Sequence, residues 1–123
     1  MNLVTALVVD DSLFMRTLIG DVIKEIGCTD SLHFAKDGVE ALDIATELRP
    51  HLVTLNITMP NMSGIDVIEK MLEISPKAKI IMISAIHDRN TIEKAKKRGI
   101  VSYIVKPFEK KSLKNIIKYH LKG

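Results

Sequence analysis

Strand-like and helix-like stretches alternate five times along this chain, and that alternation leaves few folds open. Residues 3–9 (Leu-Val-Thr-Ala-Leu-Val-Val), 31–35, 51–55, 79–84 (Lys-Ile-Ile-Met-Ile-Ser) and 101–105 (Val-Ser-Tyr-Ile-Val) are short and largely apolar, with many β-branched residues. Each is followed by a segment whose apolar residues return every three or four positions. In 13–26, Phe14, Leu18, Val22 and Ile26, with Met15, Ile19 and Ile23 beside them, make one wide apolar helical face. The second helix sets Leu42, Ala45 and Leu48 inward, and the third carries Ile65, Ile68, Met71 and Leu72. The fourth runs from about Asn90 to Arg98, and the last buries Leu113, Ile116, Ile117 and Leu121. Continuous apolar strands separated by amphipathic helices predict an α/β fold, a parallel sheet covered on both faces.

The punctuation agrees with this pattern. Ser12 can cap the first helix, and Gly27 can end it in a left-handed conformation. Asp37-Gly38 turns into the second helix, which Pro50 closes; Gly64 opens the third, Pro76 marks its end, and Gly99 stops the fourth. No linker, repeat or low-complexity run interrupts the series, so residues 1–123 are expected to form a single domain.

Bulk properties narrow the classes further. No apolar run approaches the roughly 20 residues of a membrane span. At the N-terminus no cationic segment precedes the apolar run, and Asp10-Asp11 follows it directly, unlike a signal peptide. The lone Cys28 cannot form an internal disulfide, which fits a reducing, cytoplasmic setting. A net charge of +3 is weak grounds for nucleic acid, and no direct contact with it is expected. The four histidines lack metal-ligand spacing.

The chemistry lies at the carboxyl ends of the strands, which in a parallel sheet share one edge. Asp10 and Asp11 follow the first strand, Asn56 and then Thr58 the third, Ser84 ends the fourth, and Lys106 follows the fifth. Acids, a hydroxyl and an ammonium would meet there in a shallow cleft.

These residues carry a resemblance across the whole chain. Asp10-Asp11-Ser12 with Met15-Arg16, Thr58-Met59-Pro60-Asn61-Met62-Ser63-Gly64, Ser84-Ala85 and Lys106-Pro107-Phe108 resemble, in order and spacing, the receiver domains of two-component response regulators, the stand-alone chemotaxis type above all. The resemblance implies a flavodoxin-like, doubly wound (βα)5 fold with strand order 2-1-3-4-5. It implies Mg2+ held by Asp11 directly, by Asp10 through water, by the Thr58 carbonyl and by position 56, where Asn56 can still offer an oxygen but with weaker attraction. Ser84 resembles the switch hydroxyl, Lys106 the lysine that pairs with the phosphoryl group, and Tyr103 the aromatic that moves inward on activation. The Lys106–Pro107 peptide is often cis in the family. The implied partners are a histidine kinase or phosphotransfer protein and a downstream protein target. The target would bind the face of the fourth helix, fifth strand and fifth helix, where Lys94, Lys97, Tyr103, Lys110 and Lys114 fall.

One departure matters most. The family's phosphoacceptor aspartate falls on Asn56. A carboxylate can attack a phosphoryl donor, but an amide oxygen is a poor nucleophile without charge. The chain is therefore expected not to take phosphate at position 56. Two origins are open. The intact Asp10, Asp11, Ser84 and Lys106 favour an engineered substitution that traps the unphosphorylated form. The alternative is a natural, phosphorylation-independent pseudo-receiver interaction module. Either way the expected role is a signalling switch, not an enzyme with a separate substrate; the parent would catalyse only its own phosphorylation and dephosphorylation.

Two other classes fit less well. A haloacid dehalogenase-type phosphatase wants a spaced acid pair after the first strand and room for a cap. A flavodoxin-like cofactor module needs a donor-rich loop where this chain places two carboxylates. With no output domain visible, a stand-alone regulator is favoured, though a receiver excised from a longer protein fits equally.

Overall fold

The computed structural model describes residues 3–122. Five strands alternate with five helices: β1 (Thr5–Val9), α1 (Leu13–Ile26), β2 (Ser31–Ala35), α2 (Gly38–Leu48), β3 (Leu52–Leu55), α3 (Gly64–Ile74), β4 (Lys79–Ser84), α4 (Arg89–Arg98), β5 (Ser102–Val105) and α5 (Lys110–Leu121). All pairings are parallel and the order is β2-β1-β3-β4-β5, the doubly wound arrangement expected.

The period-2 alternation of the strands divides the core into two layers. Leu7, Val9, Val53, Leu55, Ile80 and Met82 face α2, α3 and α4, where Ala41, Ala45, Ile68, Met71 and Ala95 meet them. Ala6, Val8, Leu52, Ile81, Ile83 and Ile104 face α1 and α5, against Ile19, Val22, Ile23, Leu113 and Ile117. Burial of each large aliphatic side chain contributes roughly 1.5–3 kcal/mol, so these two layers hold the sheet between its helices.

Local signals act where the sequence places them. The Ser12 Oγ accepts the Met15 N–H, and Asp37 caps α2 through Glu40 N–H. Gly27 and Gly99 end α1 and α4 in the left-handed region, at φ 74° and 114°. A Cβ on Gly64 would run into the Asn56 carbonyl oxygen, so only glycine lets α3 start so close to the end of β3.

Several expectations need correction. β1 starts at Thr5, not residue 3, and Leu3 lies exposed outside the sheet. β3 and β5 each begin one residue later than the apolar pattern suggests. Phe14, expected inward on α1, is 73% exposed. The first turn of α1 leaves Leu13 exposed as well. Leu48 is exposed too, in the last turn of α2.

Candidate functional site

Main-chain ladder bonds bring four strand ends level. The Asn56 N–H donates to the Val9 carbonyl at 3.0 Å, and the Lys106 N–H donates to the Ser84 carbonyl at 2.8 Å. Asp10, Asn56 and Ser84 are all buried at this edge, whereas Asp11 is exposed.

Asp10 is held from three sides. Its Oδ1 accepts the Ser12 N–H at 2.9 Å, and Lys106 Nζ reaches its Oδ2 at 3.0 Å. Its main-chain carbonyl accepts from Arg16 Nη1 at 2.8 Å. A carboxylate only 1% exposed needs such partners, because an unpaired buried charge is strongly disfavoured. The Lys106–Pro107 peptide is cis.

Asn56 faces two acceptors. Its Nδ2 donates to the Thr58 carbonyl oxygen at 2.9 Å and lies 3.5 Å from Asp11 Oδ1. The reverse amide orientation would set oxygen against two oxygens, so the acceptors dictate which way the amide points. Asp11, Asn56 and Thr58 are thus brought together, Asp10 stands at the same sheet edge with its carboxylate turned to Lys106, and their oxygens are of the hard type that suits Mg2+. As they stand they do not fit the ion. The amide nitrogen, not an oxygen, is turned toward Asp11 and Thr58. Among the described residues no cluster of three or more acidic, His or Cys side chains could hold a metal.

Ser84 and Tyr103 grip the loop before α4. Ser84 Oγ accepts the Ile86 N–H at 3.1 Å, and the Tyr103 hydroxyl donates to the Ile86 carbonyl at 2.6 Å. Tyr103 is packed against the α2–α4 core layer. Burial pushes its phenol above the ordinary tyrosine value, with Ser84 pulling the other way. Asp88 caps α4, and the Thr91 N–H holds its carboxyl below the usual range.

Of the basic residues expected on one face, Lys94, Lys97 and Lys110 are exposed on α4 and α5. Lys114 turns elsewhere: its Nζ pairs with Glu25 Oε2 of α1 at 3.2 Å.

Sequence reasoning missed three positioning contacts. Arg16, one turn into α1, reaches back to the Asp10 carbonyl. Arg98 at the end of α4 lies 3.8 Å from Asp66 Oδ1 and 3.5 Å from Glu69 Oε1, and it also donates to the Ile65 carbonyl. Asn61 adopts φ 71° and its Nδ2 reaches Asp37 Oδ2 at 3.4 Å, fastening the loop after β3 to α2. The Pro60-Asn61 pair was a legible signal for that turn, because asparagine tolerates the left-handed region; the Arg98 contacts are tertiary and left no local signal.

Known proteins share this arrangement. Residues 6–118 match the family described as the response regulator receiver domain. The chain is 43% identical over 103 residues to the chemotaxis protein CheY of Thermotoga maritima, covering 84% of this chain and 85% of that protein. Among solved structures, the response regulator domain of Thermotoga maritima CheB superposes with TM-score 0.84 at 29% identity, covering 98% of this chain and 96% of that one. The CheX–CheY–BeF3–Mg2+ complex from Borrelia burgdorferi gives TM-score 0.89 at 27% identity, covering 97% and 90%. With the family match spanning nearly the whole fold and its strand-end residues gathered at one edge, the chain belongs to the response regulator receiver family, among its CheY-like members.

Proposed function

We propose that this chain is a chemotaxis-type receiver held in its unphosphorylated state because Asn56 occupies the phosphoacceptor position. The observation that carries this reading is the placement of Asn56: buried at the end of β3, beside Asp10 and Asp11. Ser84 and Lys106 stand at the same sheet edge. In a receiver with aspartate there, a carboxylate oxygen would form the new O–P bond as the donor's bond to phosphorus breaks. The amide of Asn56 has no anionic oxygen to do this. The intact residues around it favour a substituted site over an eroded one.

The other roles follow the same reading. Lys106 and Ser84 would meet the phosphoryl group, and Tyr103 would relay the change to α4, β5 and α5. A histidine kinase or phosphotransfer protein would supply the phosphoryl group. A protein target would bind the face where Lys94, Lys97 and Lys110 are exposed beside the half-buried Tyr103, and the charge of the three lysines suits an acidic surface. Mg2+ dependence belongs to the aspartate form. The chain acts as a switch and not on a separate substrate, in a cytoplasmic setting; no helix of the described residues is long and apolar enough to cross a membrane.

A second reading rests on one specific contact. Tyr103 is already turned in and hydrogen-bonded to the Ile86 carbonyl while position 56 is an amide. This favours a phosphorylation-independent interaction module, whose output face needs no phosphoryl group to set it.

Incubation with Mg2+ and acetyl phosphate, followed by intact mass measurement, tests the first reading. The present chain should gain nothing and its Asn56→Asp variant one phosphoryl group. No gain by the variant would leave the second reading as the better account.

A further inference from the structure

In receivers the acidic pocket is expected to be neutralised by a metal ion. Here the chain's own donors already engage oxygens that such an ion would meet. Lys106 Nζ holds Asp10 Oδ2 at 3.0 Å, and the Asn56 Nδ2 spans the Thr58 carbonyl at 2.9 Å and Asp11 Oδ1 at 3.5 Å. We infer that the Asn56 amide stands in for the metal ion, bridging the two oxygens that would otherwise ligate it, so that this chain's pocket is complete without Mg2+.

First, a cation entering between Asp11 and Thr58 must displace the amide that bonds the Thr58 carbonyl at 2.9 Å and lies 3.5 Å from Asp11 Oδ1. Asn56 must then rotate to present Oδ1, which breaks its hydrogen bond to Thr58 O and leaves a buried Nδ2 without that partner. Second, the rotated amide brings no negative charge, so the ion loses the attraction of a third carboxylate. Both effects weaken metal binding and neither destabilises the metal-free fold. Loss of the carboxylate charge alone would account for the second effect but not the first. The bridge therefore has a signature of its own.

The inference rests on reading Asp10, Asp11, Asn56 and Thr58 as the family's metal site. Its test is an NMR titration with Mg2+ alone, joined to thermal melting in EDTA and in Mg2+. Three proteins are compared: this chain, Asn56→Asp and Asn56→Ala. In this chain the Asn56 side-chain amide protons should be shifted and slow to exchange with solvent, and millimolar Mg2+ should leave them and the melting temperature unchanged. Asn56→Asp should bind Mg2+ at least about tenfold more tightly, since it restores a carboxylate and has no amide hydrogen bond to break, and should melt higher when the ion is present. Asn56→Ala lacks both charge and bridge. If the bridge is real, its Asp11 and Thr58 resonances should respond to Mg2+ at lower concentration than those of this chain.

Saturation of this chain by Mg2+ as tightly as Asn56→Asp would overturn the inference, as would an Asn56 amide that exchanges freely. So would an Asn56→Ala variant no more responsive to Mg2+ than this chain. If Asn56→Asp itself neither binds Mg2+ nor takes a phosphoryl group, the reading of the site fails along with the inference. If it does both while this chain binds Mg2+ equally well, the inference alone fails.

Discussion

Lys106 Nζ lies 3.0 Å from Asp10 Oδ2, an ion pair that ties the end of β5 to the end of β1 across 96 residues of sequence. Asp10 is only 1% exposed, while Lys106 keeps 20% of its side chain in water. Removing the ammonium would leave a buried carboxylate without its counter-charge. Lys106→Met is expected to destabilise the fold by about 2–4 kcal/mol, somewhat below the range for a fully buried pair because water can still reach the site. Urea unfolding checks this, and Asp10→Asn combined with Lys106→Met should lose less than the two single changes added together.

Thr54 presents the opposite case. It sits in the middle of β3, 1% exposed, and its Oγ1 is the one buried side-chain polar atom without a hydrogen-bond partner among the described residues. Its strand neighbours Val8 and Ile81 are aliphatic. Replacing the hydroxyl with a methyl removes an unmet polar group at almost constant volume. Thr54→Val should stabilise the chain by about 1 kcal/mol, read as a higher urea midpoint with an unchanged slope.

Arg98 is the main polar tie between α4 and α3. Of the ten residues of α4 only Ala95 is buried, so little apolar packing holds this helix down. Arg98→Ala should reduce global stability by only about 0.5–1 kcal/mol, since its acidic partners are exposed. Amide exchange within α4 should nevertheless accelerate well beyond that in α1 or α5. Uniform acceleration in all five helices would argue against a local clamp.

His120 gives a pH dependence. Its Nε2 lies 3.2 Å from Ser102 Oγ, and burial, with the charge of Lys79 adding, holds the imidazole below its ordinary value of 6.5. The folded chain therefore takes up this proton less readily than the unfolded chain. The contribution is fully favourable at neutral and alkaline pH and is lost as pH falls below about 6.5. Urea midpoints measured across that window should decline with falling pH, and His120→Gln should flatten the decline.

How much of this was legible in the sequence differs from residue to residue. Ser12, Gly27 and Asp37 act within a few residues of themselves, and their caps form where the motifs place them. The gathering of Asp10, Asn56, Ser84 and Lys106 was legible because parallel strands align their carboxyl ends whatever the loop details. Phe14 was misread because helical periodicity gives the direction of a side chain, not whether anything lies there to cover it. Lys114 fell on a charged helix face in the sequence, yet its partner Glu25 belongs to α1, a tertiary neighbour that no spacing along α5 reveals. The orientation of the Asn56 amide depends on two acceptors, Thr58 O and Asp11, the second of them 45 residues away.

The most direct test of the central claim is to locate the phosphoryl group. Asn56→Asp would be treated with acetyl phosphate and Mg2+, the acyl phosphate reduced with borohydride, and the modified residue mapped by tandem mass spectrometry. The account predicts modification at position 56 and nowhere else, with none in the present chain. A label on Asp10 or Asp11, or on the present chain itself, would contradict it.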